Sequence, residues 1–180
     1  MAEIQPTVYD YTSDQHEMLR IYELRTAALV GRELHTDKLQ RIRLWLYTLD
    51  GFTTLCASGA FVSLALWKTP FGSALLEWLI FSVAAASIIR SSFRLSDLAD
   101  QHARLAYSWK EIFMDLDQVA HMAKREGSIT DTLRAEMDFL TLRFQRVEAM
   151  DDIKSDKAQA KLQAKAEQQL PIERQWLPSA

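Results

Sequence analysis

Residues 44 to 67 read LWLYTLDGFTTLCASGAFVSLALW, and residues 71 to 89 read FGSALLEWLIFSVAAASII. The first run lies between Arg43 and Lys68 with Asp50 as its single charge, and the second ends at Arg90 and holds only Glu77. At about 1.5 Å per residue, the 24 residues of the first run make about 36 Å of helix and the 19 of the second about 28 Å, against a hydrocarbon core of about 30 Å. Both are read as membrane spans. A chain of 180 residues cannot wrap two such helices in a soluble core. Lys68, Thr69 and Pro70, with Gly72 close behind, leave room only for a tight antiparallel turn.

Lys38, Arg41 and Arg43 precede the hairpin, Arg90 and Arg94 follow it, and Lys68 stands alone in the turn. The excess of basic residues outside the turn places both termini in the cytoplasm. Trp45 and Tyr47 at one edge and Trp67 at the other suit the interfacial aromatic belt. The N-terminus is acidic and polar, unlike a cleavable signal peptide, so the first span is expected to serve as its own insertion signal.

An acid in the middle of a span costs about 2.5 to 3.5 kcal/mol on insertion scales, so Asp50 and Glu77 are expected to face protein or water. In an antiparallel hairpin they fall roughly 15 Å apart in depth by helix rise, too far to pair within one chain. At about 100° per residue, Ser73, Glu77, Ala84, Ser87 and Ser91 form one small, polar stripe on the second span. The first span has two small faces, one with Asp50, Gly51, Thr54, Ala57 and Ser58, the other with Cys56, Gly59, Ala60 and Ser63. Small residues let helices approach closely in lipid, and two such faces exceed what a lone hairpin needs, so a homo-oligomer is expected. Asp50, Glu77, Ser73, Ser87 and Ser91 are therefore candidates either for lining a pore or for holding an assembly.

Beyond the hairpin the chain is polar and densely charged. Leu98, His102, Leu105, Trp109, Ile112, Leu116, Val119 and Ala123 recur at four-three spacing, the heptad seam of a packed, coiled-coil-like helix. Glu126, Gly127 and Ser128 interrupt it, with Gly127 suited to a helix C-terminus and Ser128 with Asp131 resembling a capping box. Leu133, Met137, Leu140, Phe144 and Val147 then continue the spacing, so the two seams are expected to zip into an antiparallel hairpin. A third amphipathic helix is expected from Ser13 to Gln40. The stretch after Asp151 reads as a solvated helix ended by Pro171, followed by a tail in which Trp176 and Leu177 either lie against the bundle or dock on a partner.

The resulting fold class is an all-α membrane protein: a cytoplasmic helix (1–40), a two-span hairpin (41–94), a cytoplasmic helical hairpin (95–150), and a helix extension with a tail (151–180). A net charge of −3 with interspersed signs supplies no basic surface, so no nucleic-acid partner is expected. One cysteine, Cys56, precludes a disulfide framework within the chain. His16, His35, His102 and His121 lack metal-ligand spacing, and His102 reads as a packed core histidine. No phosphate loop or nucleophile elbow appears, so neither an enzyme nor a cofactor is expected.

The segment RSSFRLSDLADQHARLAYSWKEIFMDLDQVAHM, residues 90 to 122, resembles the helix that follows the membrane hairpin in the SLATT family, two-transmembrane effector domains associated with SMODS nucleotidyltransferases and SLOG proteins. The resemblance covers roughly residues 36 to 150 and rests on arrangement and on the form LADQHARLAYSW. It implies a pore-forming effector of a prokaryotic antiviral defence or self-killing (abortive infection) system, in the bacterial inner membrane. A nucleotide second messenger, or a nucleotide-sensing protein, would act upstream. The competing expectation is a non-conducting membrane scaffold whose helical arms recruit a soluble partner.

Overall fold

The structure is a computed structural model that describes residues 13–58, 70–92, 94–151, 156–170 and 176–178. Among these residues every regular element is helical: α1 (Ser13–Ala57), α2 (Pro70–Ser92), α3 (Leu95–Glu126), α4 (Asp131–Met150) and α5 (Asp156–Gln169). Contacts divide the chain into two compact units, one formed by residues 1–34 and 105–180 and the other by His35–Arg104. The division cuts through α1 and α3.

The first unit is a helical bundle built on the predicted seams. From α3, Trp109, Ile112, Leu116, Val119 and Ala123 are buried, and all five seam residues of α4 are buried with them. The N-terminal part of α1 closes this core with Met18, Ile21 and Tyr22. Leu29 and Val30 form a second small cluster with Ala166 of α5. Ion pairs rim the interfaces: Arg25 to Asp117 at 2.7 Å, and Arg134 to Asp14 at 2.7 Å and Glu17 at 3.1 Å. Arg143 pairs with Asp115 at 2.8 Å and also with Glu111. The guanidinium of Arg134 is held above its ordinary pKa, first by its hydrogen bond to Asp14 and then by Glu17.

Local chemistry explains where the helices end. Gly127, at φ +74°, takes the left-handed conformation that glycine adopts at little cost, and its N–H donates to Ala123 O at 2.9 Å. The next helix starts two residues later than the expected capping box: the N-cap is Thr130, in extended conformation and without a side-chain cap bond. Its hydroxyl lies 2.9 Å from that of Thr132 instead. The C-terminal tail lies on the bundle, where Trp176 and Leu177 pack against the core and the Tyr22 hydroxyl donates to Trp176 O at 2.8 Å.

α1 runs unbroken from Ser13 to Ala57, through the position where the expected cytoplasmic helix gives way to the first apolar run. It also stops inside the first apolar run. The 14 residues from Leu44 to Ala57 give about 21 Å of helix, short of a span. At Ser58, just past the last helical residue, the N–H and the hydroxyl both donate to Leu55 O, at 3.2 and 2.8 Å. The rest of that run, residues 59–67, and the turn residues Lys68 and Thr69 lie outside the described residues, as do the N-terminal residues 1–12 and Pro171. Among the described residues one helix stretch, Gly72–Ile89 in α2, is long and apolar enough to cross a membrane. Only 12% of it is buried.

Candidate functional site

The 3.6-residue period of α2 and the C-terminal part of α1 brings two of the sequence candidates to one place. Asp50 and Ser87 both line a recess of about 360 Å³ with Thr53, Arg94 and Asp97. Asp50 and Thr53 are one turn apart on α1, and the Thr53 hydroxyl donates to Asp50 O at 3.0 Å. Ser87 sits on α2, where its hydroxyl donates to Val83 O at 3.0 Å. Arg94 occupies the short link between α2 and α3 with φ +42°, a left-handed conformation unusual for a residue with a Cβ. The recess thus carries carboxylate, hydroxyl and guanidinium groups together. Such a set can hold water or an ion pair, and it gives Asp50 polar surroundings.

Glu77 and Ser73 do not line that recess. Both are exposed on α2, and Glu77 is flanked by Trp78, 71% exposed, and Ile80 and Phe81, also exposed. Ser91 lies in the last turn of α2. Of the polar stripe of α2, Ser87 thus lines the recess, while Ser73 and Glu77 do not. Gly51, on one small face of α1, is exposed, and a Cβ built there meets nothing within 4 Å.

The seam residues of α3 divide as well. Leu105, Trp109, Ile112 and Leu116 are buried in the bundle, whereas Leu98 is 39% exposed. His102 is buried, and its Nδ1 lies 3.0 Å from Nδ1 of His35, which is fully buried. One ring must donate to the other, so the two Nδ1 atoms share a single proton between them. The periodicity places His102 on an apolar face but carries no sign of His35 as its partner, 67 residues away. Among the described residues no group of three or more histidine, cysteine or acidic side chains is placed to hold a metal ion.

Sequence reasoning missed Thr53, Arg94 and Asp97. Arg94 was legible only as a flanking positive charge, and its return toward Asp50 depends on the link after α2. A larger cavity, of about 540 Å³, opens in the helical bundle between α1, α3, α4 and α5. No periodicity marked it, because it is lined by residues of four helices. Comparison of the chain with protein-family models, with curated proteins and with solved structures finds no match.

Proposed function

We propose that this chain is an integral membrane protein whose two apolar runs form a two-span hairpin, and that copies assemble into a pore that disrupts the membrane when triggered. The observation that carries the reading is α2. It is long and apolar enough to span, it is barely buried, and its large side chains Trp78, Phe81 and Ile88 are each more than three-fifths exposed. A helix apolar on all sides has no stable place in water, so these residues need lipid or other copies of the chain. Glu77, exposed among them, is too costly to leave in lipid and favours a contact between copies or a wet path. The open small face at Gly51 supports close helix approach.

The resemblance to the SLATT family supports a role in prokaryotic defence, with both termini in the cytoplasm of the bacterial inner membrane and a nucleotide-signalling partner upstream. Because α1 and α3 belong to both units, a change in the bundle can pass along continuous helices to the membrane segment. A two-state element of this kind is what a triggered pore requires.

Membrane potential, read with a voltage-sensitive dye in bacteria expressing the protein with its neighbouring genes under phage challenge, tests the proposal. Depolarisation that is reduced by Glu77→Leu is the expected result. An unchanged potential, with the protein inserted and the system triggered, would leave the non-conducting scaffold.

A further inference from the structure

α4 carries two seams. The first, Leu133, Met137, Leu140, Phe144 and Val147, is buried in the bundle. The second, Thr132, Ala135, Phe139, Leu142, Arg146 and Ala149, follows the same alternation of three and four residues and is exposed along its whole length. At its centre Phe139 is 64% exposed and Leu142 63%. On α3, Tyr107 and Met114 are likewise more than half exposed, one turn either side of Glu111, which holds Arg143 of α4. The exposed apolar surface therefore continues from α4 onto α3.

This second seam matches itself when reversed. Laid antiparallel on a second copy, with a two-fold axis between Leu140 and Thr141, Phe139 meets Leu142, Ala135 meets Arg146 and Thr132 meets Ala149. The long Arg146 then falls against a small residue, which leaves room for its stem, and its guanidinium comes within one helical turn of Asp131 and Asp138 of the second copy. Arg146 and Asp138 are both exposed, and among the described residues neither forms an ion pair within its own chain. The antiparallel arrangement gives each of them an opposite charge. A parallel one would set Arg146 on Arg146, which repels.

We propose that two copies of this chain dock antiparallel through the second seam of α4. The interface lies wholly in the bundle and does not rest on the pore reading, since the seam pairs in the same way whether or not the apolar helix conducts.

The test uses full-length protein lacking its native cysteine through Cys56→Ser. Thr132→Cys in one version and Ala149→Cys in a second, with tags of different size, are co-expressed and oxidised in isolated membranes with copper phenanthroline. The antiparallel seam brings position 132 of one copy beside position 149 of the other, whereas like positions lie about 26 Å apart along the helix at roughly 1.5 Å per residue. A mixed crosslink is expected, and none when either version is expressed alone. Phe139→Asp, at an exposed position, should abolish the mixed product. Arg146→Glu should weaken it, and Asp138→Arg added to Arg146→Glu should restore it. Circular dichroism establishes that each variant is folded. Self-crosslinking of either version as strong as the mixed product would mean parallel or random contact and would overturn the proposal. So would a missing mixed product, its survival undiminished in Phe139→Asp or Arg146→Glu, or a charge exchange that does not restore it.

Discussion

Gly31 is where α1 comes closest to α3: a Cβ there would sit 2.8 Å from ring atoms of Trp109. Gly31→Ala therefore gains helix propensity, worth about 1 kcal/mol, but forces a buried indole to move, at about 1 to 3 kcal/mol. A net loss of up to about 2 kcal/mol is expected in chemical denaturation of the purified protein. Tyr22, on the same helix, has its phenol pKa raised above the ordinary 10.0, chiefly by burial and against the opposing pull of Arg25. The folded state thus holds the proton more tightly than the unfolded chain. The stability this contributes is complete below about pH 10 and is lost as the pH rises through the folded value. Between pH 9 and 11 the wild type should lose stability more steeply than Tyr22→Phe. For the buried histidines, His35→Leu and His102→Leu should each cost about 1 to 3 kcal/mol by removing the hydrogen bond between the two Nδ1 atoms. The double variant should cost clearly less than their sum, which a double-mutant cycle in denaturant reads directly.

At the scale of the element, α4 shows which contacts hold the bundle. Its buried face carries Phe144 against Trp109, and its flank carries Arg143 between Glu111 and Asp115. The ion pairs are about one-third exposed, where such contacts contribute about 0 to 1 kcal/mol, whereas truncating a buried phenylalanine costs about 3 to 5 kcal/mol. Phe144→Ala is expected to lower the melting temperature several times more than Arg143→Ala. The same contrast explains why periodicity located α3 and α4 while the boundaries moved. Burial of apolar residues every third or fourth position dominates the energy, whereas the shift of the N-cap from Ser128 to Thr130 involves about 1 kcal/mol of capping.

For the whole molecule, the unresolved energetic demand is the apolar surface of α2. If copies associate in the membrane, Cys56, the one cysteine of the chain and a half-buried residue on α1, becomes a reporter. Mild oxidation in membranes should give a crosslinked dimer that disappears with Cys56→Ser, provided α1 helices meet at that face. Glu77→Leu should reduce depolarisation if the acid lines a conducting path. It should alter only the crosslinking yield if the acid serves assembly.

A heptad seam and a glycine stop determined from the sequence alone that the chain is helical and where α3 and α4 pack; of the two long apolar runs read as spans, one, in α2, is a helix long and apolar enough to cross a membrane among the described residues. Those features are local, because side chains one turn apart share a face whatever the rest of the chain does. The tertiary structure decided everything that joins distant segments: His35 against His102, Asp50 with Ser87 and Arg94 in one recess, Trp176 on the bundle, and a cavity assembled from four helices. Heptad spacing fixes which face of a helix is apolar. It does not fix which partner covers that face, nor where two covered faces leave a gap, since those depend on how the helices meet.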